Sequence, residues 1–327
     1  MTGQNGHLPK PLKEMSPPER IDLIYRIRVW YPRMRAIYDE IARAYEMNPV
    51  TPDPECIALL GRFRTGKTTI VDSFWQQHPR LVGAERTHVP VLKAVVPAKA
   101  SMNNMLTCLL ASLGDPLAGR GSMGVKIHRL QRFIVDCGVR MVILDEANHF
   151  VDRDSERVLH DVSNTMKNLA KTYNVACVLV GLPYTEEVLK VNEQFGSLFG
   201  DPHILEPFQW QEEDPQTVTE FRLFLQQVEQ QLPLASRSCL ATKEMAWRCF
   251  VATQGKVGYL MRLIRRAAEA AVRRGEAGLS RELLHDAFRR TLAGRRRRLE
   301  NPFAEAIPST VGPEEAEYWP VGRRRTR

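Results

Sequence analysis

The chain has 327 residues, of which 43% are hydrophobic and 26% charged. That composition supplies a buried core and excludes wholly disordered, collagenous and coiled-coil chains, and the length suits about two domains. Lys and Arg number 46 against 38 Asp and Glu, a formal net charge of +8. The surplus is localised: Arg262–Arg298 holds twelve arginines, no lysine and four acids (Glu269, Glu276, Glu282 and Asp286). A block of this kind is either the footprint of a polyanion partner, whose phosphates release counterions when neutralised, or a solvated helix face followed by a basic tail.

No apolar run approaches the roughly 20 residues of a membrane helix; the longest, around Val175–Leu182, is strand-sized. The first residues lack the apolar core of a secretory signal, so a cytoplasmic chain with no membrane partner is expected. Cys56, Cys108, Cys137, Cys177, Cys239 and Cys249 show no C-x-x-C spacing and read as reduced thiols.

Residues 1–18 carry Pro and Lys without periodicity and read as a flexible tail. In 19–50, Ile21, Ile24, Ile27, Tyr31, Met34, Ile37, Ile41 and Tyr45 recur at helical spacing, which predicts one or two helices broken near Pro32. Strand-like runs then follow at Cys56–Leu60, Val89–Val96, Arg140–Leu144, Val175–Gly181 and His203–Leu205. Between them lie helical patterns at Thr68–Gln77, Ser101–Leu113, Val125–Cys137, Ser155–Tyr173 and Thr185–Phe199. This alternation over 51–210 predicts an α/β fold, a parallel sheet flanked by helices.

After Trp210 only helices are predicted: Asp214–Gln231, Lys243–Gln254, Gly258–Arg274 and Ser280–Ala293. Residues 211–293 therefore form a second, all-α domain. From Gly294 the chain begins with four arginines and turns Pro- and Glu-containing, so 294–327 is expected to be a mostly unstructured tail. Aromatic residues in Asn301-Pro-Phe303 and Glu314–Pro320 suit a docking peptide for a partner; a passive tail whose Arg295–Arg298 adds nonspecific affinity is the alternative.

The chemistry sits in Gly61-Arg-Phe-Arg64-Thr65-Gly66-Lys67-Thr68, which matches G-x-x-x-x-G-K-[ST] in full. A strand precedes it and a helix begins at its lysine, as a phosphate cradle requires. Glycines let the backbone bend past a phosphate, and the N–H groups of Arg64 to Thr69 would face the anion at the helix start. Lys67 would reach the β- and γ-phosphates of ATP and the Thr68 hydroxyl would hold Mg²⁺. The second half of such a site is an apolar strand ending in an acid, and Met141-Val-Ile-Leu-Asp145-Glu146 supplies it. Asp145 is then the second Mg²⁺ ligand, and Glu146 the base that polarises a water against the γ-phosphate.

These two motifs, Asp145-Glu146-x-x-His149, Val178–Pro183 and Asn192-Glu-Gln-Phe195 together resemble AAA+ ATPases, and more closely the transposition regulators of the TnsC/TniB type. The helical lead-in around Arg28–Arg33 and the segment Gly255–Arg265 extend the resemblance over about residues 20–290. It implies an AAA+ P-loop core at 51–210 with an α-helical lid at 211–293. It implies further an ATPase that oligomerises on double-stranded DNA as a ring or filament and recruits a transposase to a target-selector protein. Replication initiators and helicase loaders share this core and lid, but 294–327 is too short for their dedicated DNA-binding domain; a non-hydrolysing nucleotide-dependent adaptor is the other alternative.

Against the family pattern, no arginine follows Asn192-Glu-Gln within Phe195–Asp201 to reach a neighbour's ATP, leaving Lys190 or Arg153 as substitutes and predicting slow turnover. Leu182 stands where a polar residue is expected after the Val175–Gly181 strand, and Gly258 where a γ-phosphate-sensing arginine is expected, leaving Lys256 or Arg262. Lys99, after the Val89–Val96 strand, and Lys126 with Arg129, after Gly119–Gly124, are the candidate phosphate contacts on DNA. Trp30, Tyr31 and Pro32 suit either the adenine ring or the core, and His149 either a position beside Glu146 or simple packing.

Overall fold

The computed structural model describes residues 10–98, 100–151 and 156–312. Its elements begin with helices α1 (Pro17–Arg26) and α2 (Pro32–Met47), strand β1 (Ile57–Leu60) and helix α3 (Lys67–Gln77). Strands β2 (Leu81–Val82), β3 (Thr87–His88) and β4 (Val91–Val95) precede α4 (Met102–Leu113), α5 (Met123–Asp136) and β5 (Met141–Asp145). Then come α6 (Glu156–Tyr173), β6 (Ala176–Gly181), α7 (Glu187–Lys190), α8 (Glu193–Gly196) and β7 (His203–Ile204). Helices α9 (Pro215–Gln231), α10 (Lys243–Thr253), α11 (Val257–Arg274) and α12 (Arg281–Thr291) complete the chain. They divide into two compact units, 32–206 and 10–31 with 207–312.

The first unit is α/β. Its sheet runs β4-β5-β6-β1-β7 with every pairing parallel, Leu60 opposite Gly181 and Val95 opposite Asp145. All residues of β1, β5 and β6 are buried, as strands covered on both faces must be. Ala58, Leu60, Val142, Leu144, Cys177 and Leu179 join α4, α5 and α6 in one core. The alternate residues Ile57, Leu59, Ile143, Val178 and Val180 point to the other face by the period of two, where α2 and α3 touch β1 and β6. Because the strands are parallel, Leu60, Asp145 and Gly181 all end at one edge, where ligands of open α/β sheets bind.

Two local details differ from the sequence reading. The pattern at Thr185–Phe199 is not one helix: a 3₁₀ turn (Pro183–Glu186), α7 and α8 share it. Asn192 breaks it by capping α8, its side chain accepting from the Phe195 N–H at 3.0 Å. Residues 81–88 fold into the small antiparallel hairpin β2–β3, too short to leave an alternation in the sequence. The break near Pro32 has a simple cause: proline opens α2, where its missing N–H costs nothing.

The second unit is helical. Helix α1 lies on α11, where the Tyr25 hydroxyl donates to Glu269 Oε2 at 2.9 Å and Arg265 donates to Ile27 O at 2.8 Å. Glu269, 8% exposed, also pairs with Arg266 (3.0 Å) and Arg273 (2.9 Å). Burial and that carboxylate together push the Tyr25 phenol above its ordinary pKa. Tyr31 is 3% exposed, its ring 4.8 Å from Phe208 and 5.7 Å from Phe224, so it serves as core.

The expected tail is corrected by the structure as far as residue 312. Arg248, 1% exposed on α10, donates to Pro302 O (2.6 Å), Ala304 O (2.8 Å), Ala306 O (3.1 Å) and Glu305 O (3.2 Å). The Trp247 indole N–H donates to Pro308 O at 2.6 Å, and Phe303 is 2% exposed against Phe288. Residues 294–312 are therefore a strap laid on the helices, and Asn301–Phe303 is buried in it rather than offered as a peptide. The other aromatic stretch, Glu314–Pro320, lies outside the described residues.

None of the six cysteines is in a disulfide. Burial pushes the Cys249 thiol up to about 12, and a hydrogen bond with Cys56 plus burial raises Cys177 well above its ordinary value. The thiolate is the reactive form. Titration with a thiol reagent at neutral pH should label exposed Cys239 rapidly and leave Cys249 and Cys177 unmodified until the protein unfolds.

Candidate nucleotide-binding site

The glycine-lysine loop, 61–66, leaves the C-terminal end of β1 and runs directly into α3. Gly61 is held against the end of β6, its N–H on Gly181 O at 3.2 Å. A Cβ there would lie 2.4 Å from Leu205 O, so the loop can start only from glycine. Gly66 caps α3 with φ 111°, a conformation L side chains rarely adopt. The first amide of α3 to find a carbonyl within the turn is Ile70, on Gly66 O at 3.3 Å. The N–H groups of Lys67, Thr68 and Thr69 precede it in the first turn, so the positive end of the helix dipole faces the loop. A loop bounded by glycines in front of such amides fits a phosphate.

Each predicted residue can be placed. Lys67 Nζ folds over the loop and donates to Gly61 O at 2.6 Å and Arg62 O at 2.7 Å. Thr65 is fully buried, its hydroxyl donating to Arg62 O at 3.0 Å, which fixes the loop from inside. Arg64 takes a left-handed φ of 66° and projects outward with Phe63. Thr68 is exposed at the start of α3 and Thr69 half-buried.

Asp145 ends β5, two strands from the loop in the same sheet and at the same edge, and is 4% exposed. One carboxylate oxygen accepts from the Glu146 N–H at 3.0 Å. Glu146 adopts φ 56° and starts a 3₁₀ turn, Ala147–Phe150, that keeps its side chain half-exposed. A carboxylate and a hydroxyl are the hard oxygen ligands that Mg²⁺ takes alongside phosphate oxygens, so Asp145 and Thr68 fit that ion. His149 is anchored away from Glu146, its Nδ1 2.8 Å from Val96 O.

Three neighbours were missed in the sequence. Lys93, in the middle of β4, forms a short ion pair with Asp72 and stands 3.6 Å from the other Asp145 oxygen. A lysine inside the otherwise apolar run Val89–Val96 was the available signal. Asn148 (2% exposed) and Thr185 (1% exposed) each keep a buried side-chain oxygen with no hydrogen-bond partner among the described residues. Both crowd the end of β6, where a Cβ on Gly181 would lie 2.2 Å from Thr185 Oγ1 and 3.1 Å from the Asn148 nitrogen. Thr185 thus brings a hydroxyl to the edge where Leu182 offers none.

Replacing Lys93 removes the cation held between two carboxylates. Lys93→Met is expected to cost about 2 kcal/mol in metal-free buffer, less than for a fully buried pair because Asp72 is 40% exposed. The Tm of this variant should recover as MgCl₂ is added, more steeply than the wild-type Tm; parallel salt curves would contradict that.

Two further candidates, Lys126 and Arg129, are engaged by other partners. Lys126 is 2% exposed, its ammonium on Asn103 Oδ1 (2.9 Å) and Thr107 Oγ1 (2.9 Å). Arg129 donates to Leu117 O (2.8 Å) and Arg120 O (2.9 Å) and lies 3.3 Å from Asp115. Together these side chains staple α5 to α4 and the intervening loop. The expected phosphate contact is corrected for Lys126, a buried and already bonded cation that is not offered to DNA, whereas Arg129 is half-buried and engaged by the loop carbonyls. Lys99 and Arg153 fall outside the described residues. Lys190 is exposed and paired with Glu186 at 3.2 Å. In the helical unit Lys256 is 2% exposed near the Tyr259 ring, whereas Arg262 is exposed.

Comparison with known proteins agrees with this architecture. The ORC1 protein of Aeropyrum pernix, solved in complex with DNA, is similar in structure at a TM-score of 0.59 and 18% identity, covering 83% of this chain and 69% of that one. Cdc6p of Pyrobaculum aerophilum gives 0.57 at 15% identity, over 81% and 69%. The ORC2 protein of Aeropyrum pernix, in ADPNP–ADP complexes, gives 0.55 at 15% identity, over 79% and 68%. At these identities the likeness establishes the AAA+ fold. No curated protein matches the chain by sequence. The family model described as bacterial TniB protein matches residues 20–210. With its P-loop at the end of β1 and its acidic pair at the end of β5, on an AAA+ sheet, the chain belongs to the TniB family.

Proposed function

We propose that this protein is an ATP-dependent DNA-binding regulator of transposition, which assembles on double-stranded target DNA and recruits a transposase to a target-selection protein. The observation that carries the ATP part is the convergence of Lys67, Thr68, Asp145 and Glu146 at one edge of a single parallel sheet. The TniB membership supports the transposition part.

In this reading the loop amides and Lys67 bind the β- and γ-phosphates, Lys67 exchanging two carbonyl acceptors for phosphate oxygens, which are stronger acceptors because they are charged. Thr68 and Asp145 would hold Mg²⁺, which would supply neutralising charge to the phosphates. Glu146, fixed by its backbone turn, accepts a proton from the attacking water. The stretch after Asn192 brings no arginine, so turnover is slow and bound ATP acts as an assembly signal. Assembly then adds many weak backbone contacts on one duplex, and avidity replaces sequence readout.

Electron microscopy of the protein on plasmid DNA, with and without ATP, tests this. Rings or filaments are expected only with ATP and Mg²⁺. Isolated protomers under both conditions, or assemblies that ignore ATP, overturn it.

A further inference from the structure

We infer that the end of α12 and the turn after it, through Arg289, Arg290, Arg295, Arg297 and Arg298, form a rigid surface that binds the phosphate backbone of double-stranded DNA. The inference rests on the DNA-binding reading above and assigns it a place on the helical unit.

Of the twelve arginines in Arg262–Arg298, half are bound within the helical unit. Arg265 is on Ile27 O, Arg266 and Arg273 on Glu269, Arg274 on Asp286, Arg281 on Ala304 O and Arg296 on Val251 O and Val311 O. Arg289, Arg290, Arg295, Arg297 and Arg298 are exposed. Among the described residues, nothing accepts a hydrogen bond from, or pairs with, the side chains of Arg289, Arg290, Arg295 or Arg298, and the Arg297 guanidinium bonds only Gly294 O. No Asp or Glu occurs between Asp286 and Glu300. Two of these cations are accounted for by the negative end of α12, which ends in Arg289 and Arg290; the three beyond it are not.

Arg296 is what makes the surface rigid. It is 7% exposed and donates to Val251 O at 3.1 Å and Val311 O at 2.7 Å, so the turn is pinned at its middle to α10 and to the far end of the strap. The backbone that carries Arg295, Arg297 and Arg298 to solvent is thereby fixed and has little conformational entropy left to lose. Guanidinium groups bind phosphate oxygens in pairs, where a lysine offers a point charge. A protein partner is disfavoured because interfaces need buried apolar anchors, and no exposed large hydrophobic side chain lies between Leu279 and Ile307. The same lack leaves nothing to insert into a lipid surface.

The test uses the full chain with ATP and Mg²⁺ and a variant with Arg289, Arg290, Arg295, Arg297 and Arg298 changed to Gln and Arg296 kept. Binding to a labelled duplex is followed by anisotropy over a range of KCl, with anionic phosphatidylserine vesicles as a second ligand and labelled ATP as a control. The variant should bind ATP and unfold as the wild type does. It should bind DNA at least 10-fold more weakly at low salt, with a slope of log K against log[KCl] shallower by up to about 4.5, since each of the five phosphate contacts contributes about 0.9. An unchanged slope and affinity overturn the inference and leave the DNA reading intact. Loss of vesicle binding with DNA binding intact also overturns it, in favour of a membrane surface. A wild-type protein that binds no duplex overturns the DNA reading itself.

Discussion

Lys67→Ala is expected to weaken ATP binding by about 100-fold or more, read as the loss of fluorescence from a labelled ATP analogue. Hydrogen bonds to charged groups are each worth about 1.5–3 kcal/mol, and the Lys67 ammonium is already folded across the loop onto Gly61 O and Arg62 O. The fold should survive, because those two carbonyls lose a donor at a loop that water reaches, at a cost of about 1 kcal/mol. Glu146→Gln separates binding from chemistry. It should retain ATP affinity while phosphate release falls about 10²–10⁴-fold, and assemblies on DNA should persist longer in it than in the wild type. Wild-type affinity in Lys67→Ala would mean that the loop is an ordinary glycine turn.

Arg248→Ala should be the most destabilising change in the helical unit, by about 3–5 kcal/mol. The guanidinium is 1% exposed and serves four carbonyls of the strap, Pro302, Ala304, Glu305 and Ala306. Without it those acceptors are left with no donor and the side-chain volume is left empty. Thermal unfolding should move down by roughly 10 °C or more, and limited proteolysis should cut within 294–312 at protein concentrations where the wild type is intact. Glu244, the ion-pair partner at 3.0 Å, is 54% exposed, so Glu244→Gln should cost under about 1 kcal/mol. Equal losses from the two variants would show that the ion pair, and not the strap, is what Arg248 holds.

Much of the α/β unit was legible because its signals are local. The strands β1, β5 and β6 are short apolar runs that no amphipathic helix would produce, and their burial on both faces follows from being parallel. The loop from Gly61 to Thr68 declares itself by spacing, since glycine, lysine and hydroxyl must sit at fixed places around one phosphate. What was not legible depends on contacts between distant segments. Lys93 meets Asp145 only because β4 pairs with β5, and Thr185 reaches the sheet edge only because a 3₁₀ turn carries it back over Gly181. Lys126 looked like a surface cation beside a glycine-rich loop; α4 covers it and supplies Asn103 and Thr107.

The basic block and the segment after it divide the two levels most clearly. Sequence alone determined that twelve arginines face four acids in Arg262–Arg298 and that a polyanion would be attracted there. It also suggested that the chain comes loose at Gly294, because no periodic apolar face follows. Tertiary structure decided otherwise. Arg248 and Arg296, one from α10 and one from the basic run, each bond backbone carbonyls of the last segment, and a segment without regular structure is ordered when its polar groups find partners. The same bonds sort the arginines into those that build the unit and those that face solvent. Composition fixes how many charges there are; whether a cation is spent on a neighbour's carbonyl or left for phosphate depends on which atoms the fold brings within 3 Å of it.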